Sequence, residues 1–219
     1  VEPRASMKVL FWGTPEFAVP ALRALTEEGQ EVVGVVTQPD RRAGRGLAVA
    51  VSAVKEVALA EQIPILQPEH AHGDEFLAAI QALEPDISVV VAYGQMLMPE
   101  ILAVPRLGSV NIHASLLPEL RGAAPIHWAI IRGYQTTGIT IQRMEKGLDS
   151  GPILSQVADP IQPDESMSEL AERLAEIVAE AIIEAMALLE NGSLAERPQD
   201  HERASYAPKL DRETARLDW

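Results

Sequence analysis

DISVVVAY, residues 86–93, is the stretch that decides how this chain folds. It is an apolar, β-branched run without the alternation of a half-exposed strand, as expected when both faces of a sheet are covered. Before it, residues 75–83 read as a helix, 64–66 as a short strand and 52–62 as a further helix. After it come a short helix over 99–104 and another strand, GSVNIH, at 108–113. Nearer the start, KVLFWG at 8–13 is an apolar run stopped by a glycine, the form of a buried first strand. Ala18, Leu22 and Leu25 then recur at helical spacing until Gly29 closes the helix. EVVGVVT at 31–37 is a valine-rich second strand, followed by a loop with Pro39, Gly44 and Gly46. Beyond 113, residues 125–132 form a short helix, and 137–143 and 151–161 form two strands joined by a glycine-rich connection. Strands alternating with helices predict an α/β fold: a mostly parallel central sheet with helices on both faces. Such sheets hold ligands beyond the carboxyl ends of their strands.

Residues 166–191 carry the strongest helix pattern. Ser166 and Glu169 have capping-box spacing, and Met167, Leu170, Leu174, Ile177, Ala181, Ala185 and Leu188 share one apolar face. Glu172, Glu176, Glu180 and Glu184 repeat every four residues on another face. Like charges so placed cost a few tenths of a kcal/mol per pair, so this face reads as solvated. Residues 1–6 are read as leader residues ahead of Met7, residues 7–192 as the main domain, and 193–219, polar and weakly periodic, as an extended tail or linker.

The bulk numbers exclude several classes. A chain of 219 residues can bury a full core as one domain. The longest apolar runs are too short to cross a bilayer, and no charged and apolar leader opens the chain, so a cytoplasmic location is expected. With no cysteine there is no disulfide, thiol catalysis or cysteine-ligated zinc. A net charge of −14 opposes indiscriminate nucleic-acid binding, which depends on neutralising phosphates. Only residues 40–55 run against it, with Arg41, Arg42, Arg45 and Lys55 facing one acid.

Two segments could carry chemistry. In a strand, residues two apart share a face, so Asn111 and His113 project together from a strand end. Pro118 then forces the chain into a loop over that end. Alone, such a pair is more often a structural hydrogen-bonding feature. Asp149, between Gly147 and Gly151-Pro152, sits in a tight connection and would alone read as a turn aspartate. Together, an amide donor, an imidazole and a carboxylate suit acyl transfer without a covalent intermediate. The first two would hold a developing oxyanion, and the carboxylate would support the imidazole and relay a proton. Other conspicuous residues read plainly: His127 beside Trp128 as packing, and His70 and His72 as loop residues without metal-ligand spacing, so no metal is expected. Gly13-Thr14-Pro15 lacks the glycines a dinucleotide needs.

Gly13-Thr14-Pro15-Glu16-Phe17-Ala18, Thr37-Gln38-Pro39-Asp40-Arg41, Asn111-Ile112-His113 with Ser115-Leu116-Leu117-Pro118, and Leu148-Asp149-Ser150-Gly151 occur in the order in which the sequence resembles the methionyl-tRNA formyltransferase family. The resemblance runs from Met7 to Trp219 and implies a Rossmann-like formyltransferase fold. It implies transfer of the formyl group of 10-formyltetrahydrofolate to the amine of methionyl initiator tRNA, with Asn111, His113 and Asp149 catalytic. Ser115, Leu116, Leu117 and Pro118 would line the folate site, bordered by Tyr93, Gly94, Gln95, Met96, Leu97, Lys146 and Gly147. Arg41, Arg42 and Arg45 would meet the acceptor end of the tRNA. The loop departs from the family pattern in continuing as Leu47-Ala48-Val49-Ala50-Val51, with fewer cations for phosphate. Relatives continue beyond the position of Trp219 into a basic β-barrel domain, which the tail would join; a monomer is expected. The rival readings are a formyltransferase acting on an amino-sugar nucleotide or glycinamide ribonucleotide, a non-catalytic folate- or RNA-binding module and, more remotely, a nicotinamide-dependent dehydrogenase. A cis bond is expected at Leu117–Pro118.

Overall fold

The computed structural model describes residues 6–43 and 48–214. Seven strands form one sheet: β1 (Lys8–Gly13), β2 (Glu31–Val36), β5 (Ile65–Leu66), β6 (Ile87–Val91), β7 (Ser109–His113), β8 (Thr136–Arg143) and β9 (Ile153–Pro160). Their spatial order is β5-β2-β1-β6-β7-β8-β9. β5, β2, β1, β6 and β7 are mutually parallel, whereas β8 and β9 are added antiparallel. The chain works outward from β1 in one direction and then restarts beside it with β6. The crevice of this open sheet therefore lies beyond the carboxyl ends of β1, β6 and β7.

The helices are α1 (Val19–Glu27), α2 (Ala53–Ala60), α3 (Asp74–Ala82), α4 (Pro99–Leu102), α5 (Pro125–Ile131) and α6 (Met167–Glu190). On one face of the sheet Val9, Phe11, Val89, Val91, Val110 and Ile112 pack with Leu22 and Leu25 of α1, Val54 of α2 and Leu174 and Val178 of α6. On the other, Leu10, Trp12 and Val90 pack with Ile80 of α3 and Ile101 of α4. Alternate residues of β1 and β6 thus serve opposite cores, which is why these strands show no polar alternation. Ser88, the polar break in β6, is satisfied where it is buried: the Trp12 indole donates to its hydroxyl at 3.1 Å.

α6 is closed at its start by the expected capping box between Ser166 and Glu169. Its buried stripe is rotated from the expected one. Leu170, Leu174, Ala181 and Ala185 are buried, joined by Ala175, Val178, Ile182 and Met186, whereas Met167, Ile177 and Leu188 lie at its half-buried margin. The helix packs against α1 as well as β8 and β9, so its contact face is wider than one heptad-like seam.

Two segments read as irregular are ordered. Inside the loop after β2, β3 (Arg41–Ala43) and β4 (Ala48–Ala50) pair as an antiparallel ribbon. The polar segment after α6 is extended, yet it returns across the domain as a docked strap. Arg197 exchanges backbone hydrogen bonds with Ile153 at 2.8 and 2.9 Å. Further on, Arg121 donates to the Ser205 carbonyl and accepts from the Ala207 amide, at 2.9 and 2.7 Å. Among the described residues no helix is long and apolar enough to cross a membrane.

Candidate active site

β7 and β8 run antiparallel with Asn111 opposite Gln142 and His113 opposite Thr140. This register sets two polar pairs side by side at the exit of the parallel sheet. The connection from β8 to β9 then brings Asp149 over them, in the left-handed backbone region at φ +45°. A non-glycine residue there is strained, and the hydrogen bonds below hold it. Gly151 must be glycine, because a Cβ would collide with the Arg143 carbonyl.

Asp149 is the hub. Its Oδ1 accepts from Gln142 Nε2 at 2.9 Å and from Asn111 Nδ2 at 3.4 Å. Its Oδ2 accepts from the Gly122 backbone N–H at 2.8 Å and faces His113 Nδ1 at 3.7 Å. His113 is buried, and its Nε2 lies 2.8 Å from the Leu120 carbonyl. A carbonyl can only accept, so Nε2 carries a proton and Nδ1 is the nitrogen left to exchange one beside the carboxylate. The three predicted catalytic side chains therefore meet at one point.

The other predicted residues surround this point unequally. The Ser115–Pro118 turn is self-contained. Ser115 Oγ donates to the Glu119 carbonyl at 2.6 Å, the Leu117 amide donates to Thr140 Oγ1 at 3.1 Å, and the Leu117–Pro118 bond is cis. Leu116 and Pro118 are half-buried, so this turn offers surface shape rather than free donors. The segment 92–97 leaves β6 beside β7, with Tyr93 and Leu97 buried, Gly94 and Met96 exposed and Gln95 half-buried. In the β8–β9 connection Lys146, Gly147 and Leu148 are exposed, and a shallow pocket is lined by Gln142, Met144, Gly147, Asp149 and Ser150.

Arg41 is exposed at the foot of the β3–β4 ribbon; the side chain of Arg42 and the whole of Arg45 lie outside the described residues. That foot is braced: Lys55 donates to Asp40 and Gln67 at 2.6 Å each, and Gln67 donates to Asp40 at 2.8 Å. The hydrogen bonds from Lys55 and Gln67 hold the Asp40 carboxyl below its ordinary range. Among the described residues no three histidines or acids cluster to hold a metal.

Gln142, Arg121 and Gln199 do not stand out in the sequence, yet they touch the site or support it. Gln142 becomes visible only once β7 and β8 are paired. Arg121 and Gln199 carry no local signal, because their contact spans 78 residues of chain.

The fold is shared with enzymes that move a one-carbon acyl group. A family model described as Formyl transferase matches residues 7–186, and the chain belongs to that family. The methionyl-tRNA formyltransferase of Caldanaerobacter subterraneus subsp. tengcongensis is 47% identical over 214 residues, 97% of this chain and 69% of the relative. The chain is thus an enzyme of the methionyl-tRNA formyltransferase branch. Solved structures share the fold at lower identity. Glycinamide ribonucleotide transformylase 1 from Symbiobacterium toebii matches with a TM-score of 0.73 at 22% identity, over 89% of this chain and 95% of that one. HypX from Aquifex aeolicus in complex with tetrahydrofolic acid matches with a TM-score of 0.69 at 19% identity, over 98% of this chain and 32% of that one.

Proposed function

We propose that this chain transfers the formyl group of 10-formyltetrahydrofolate directly to the amine of methionyl initiator tRNA. The observation that carries the reading is the meeting of Asn111, His113 and Asp149 beyond the sheet's carboxyl edge. In this reading the acceptor amine attacks the formyl carbon, and the carbonyl oxygen gains negative charge between Asn111 Nδ2 and protonated His113 Nδ1. The proton lost by the amine passes to the Asp149 carboxylate and on to the departing tetrahydrofolate nitrogen, so no covalent enzyme intermediate is needed. Two features support a folate donor: segment 94–96 follows β6 beside β7 and the exposed strip 146–148 leads into Asp149, and the exposed Met96 and Leu148 offer apolar surface for a flat ring. The Aquifex neighbour that binds tetrahydrofolic acid has the same fold.

The methionyl-tRNA acceptor is supported by the relative at 47% identity and by the ribbon bearing Arg41, which follows the exit of β2 on the same edge of the sheet. Arg41→Ala should lower the salt slope of tRNA binding by about one charge. His113→Ala is expected to slow transfer by orders of magnitude while donor binding, followed by fluorescence quenching, stays near wild type; an unchanged rate removes His113 from the mechanism. Parallel assays with charged initiator tRNA, glycinamide ribonucleotide and an amino-sugar nucleotide test the acceptor. Preference for either small amine overturns it.

A further inference from the structure

We propose that Gln199, carried by the strap after α6, is a positioning residue for Asp149, and that the strap is therefore part of the catalytic apparatus. The inference rests on the formyl-transfer reading of the Asn111, His113 and Asp149 site and extends it to a segment that sequence reading treats as a tail.

The argument starts from an arginine that can only donate. Arg121 is buried, and its Nη2 and Nε donate to Gln199 Oε1 at 2.6 and 3.2 Å. That fixes which end of the Gln199 amide is oxygen. Its nitrogen must face the other way, and there it meets acceptors alone: the Gly151 carbonyl at 2.7 Å, the Asp149 carbonyl at 2.9 Å and Gln142 Oε1 at 3.2 Å. Two N–H groups serve three acceptors, so the shorter two, to the connection carrying Asp149, dominate. Gln142 is oriented in turn. Its oxygen faces Gln199, so its amide nitrogen donates to Asp149 Oδ1 at 2.9 Å. Asp149 Oδ2 closes the circuit by accepting from Gly122, the residue after Arg121. Every group in this ring has one workable orientation, and reversing any amide would oppose two donors or two acceptors.

Gln199 is 6% exposed and touches both the backbone and, through Gln142, the carboxylate of Asp149. Asp149 needs this restraint, because its φ of +45° is disfavoured for a residue with a side chain. The strap is pinned on both sides of Gln199, at Arg197 to Ile153 and at Ser205 and Ala207 to Arg121. Ser205 Oγ also accepts from the Leu120 amide at 2.9 Å, and the Leu120 carbonyl is the group that fixes His113. One strap thus steadies both partners of the His113–Asp149 pair from behind, without lying among the reacting atoms.

The test compares Gln199→Glu, Gln199→Met and His113→Ala with wild type. Glutamate keeps an acceptor for Arg121 but offers the Asp149 and Gly151 carbonyls no donor. Single-turnover formyl transfer should fall about 100-fold in Gln199→Glu, as for a misplacement of about an ångström, with donor KM near wild type. The 15N chemical shift of His113 Nδ1 should also move, a local signature that a purely global loss of stability would not produce. Gln199→Met, isosteric and apolar, guards against an effect of the added charge and should show the same split. Wild-type rates and an unmoved His113 15N chemical shift in folded Gln199 variants overturn the inference. So does a rate loss that merely tracks the folded fraction by circular dichroism. If His113→Ala is inactive while the Gln199 variants are normal, the positioning role fails and the formyl-transfer reading stands. If His113→Ala is fully active, His113 leaves the mechanism and the rates of the Gln199 variants decide the positioning of Asp149. If wild type itself transfers no formyl group, the formyl-transfer reading fails and the His113 15N chemical shift decides the positioning role.

Discussion

Asp149→Asn keeps the size of the side chain and removes its charge, so its effect can be worked out from the site. The carboxylate lies 3.7 Å from His113 Nδ1, and the two side chains are only 14% and 6% exposed. At an effective dielectric constant of about 20, a unit charge pair at that distance is worth roughly 4.5 kcal/mol. In the proposed mechanism that attraction grows as the imidazole becomes an imidazolium facing the oxyanion, so its loss falls mainly on the transition state. About 1.4 kcal/mol per decade gives roughly a thousandfold fall in the chemical step. The neutral amide also cannot satisfy all its neighbours. Its NH2 meets Gln142 and Asn111 in one orientation and the Gly122 N–H in the other, and all of these are donors. One buried donor is left unmatched, at a cost of about 1–3 kcal/mol in stability. The assay is single-turnover formyl transfer from 10-formyltetrahydrofolate to charged initiator tRNA, with melting temperature measured alongside. A natively folded Asp149→Asn protein within tenfold of the wild-type rate would refute the electrostatic role.

Gly122→Ala places a Cβ 2.8 Å from the Ala207 carbonyl at φ +115°; it should lower the melting temperature by the equivalent of about 1–3 kcal/mol and slow transfer together, whereas a normal rate would separate the strap from the site. Burial pushes the Tyr93 phenol up to about 12 from its ordinary 10.0, and its hydroxyl has no hydrogen-bond partner. The fold favours the protonated form, so this contribution is whole below about pH 10 and is lost as pH rises through 12. Absorbance near 295 nm should show one late-titrating tyrosine, absent in Tyr93→Phe, and that variant should be no less stable than wild type. The Lys8 backbone N–H, followed by Arg106, holds the Asp86 carboxyl below its ordinary 3.8. Its stabilisation is therefore present above that value and lost as pH falls through the lower folded one. Denaturant midpoints of Asp86→Asn should show a weaker dependence on acid than wild type.

The parallel half of the sheet was legible because its signals are local. KVLFWG, EVVGVV and ISVVV each declare a strand by composition, and the glycine-closed helix after β1 and the Ser166–Glu169 capping box announce their own ends. The β3–β4 ribbon was read as loop because its three-residue strands are shorter than any periodicity can register. The core stripe of α6 was read one seam too narrow, because spacing alone does not reveal that the helix packs against α1 and the β8–β9 pair at once.

The site divides along the same physical line. Asn111 and His113 were visible because two-residue spacing on a strand is a local fact. Asp149 could be suspected because Gly147 and Gly151 mark a shaped connection around it. Which other residues hold Asp149 depends on the antiparallel register of β7 and β8, which pairs Asn111 with Gln142 across 31 residues, and on the return of the strap. Polar residues in a weakly periodic segment look like solvated tail because hydration satisfies them equally well in an unfolded chain. Their meaning changes only when the strap is pinned to Ile153 and Arg121, since an amide buried there must find partners or destabilise the fold. Gln199 does so by facing the two carbonyls of the Asp149 connection with its nitrogen and Arg121 with its oxygen. A strained aspartate and a distant glutamine are thus two halves of one constraint, and neither can be understood from its own stretch of sequence.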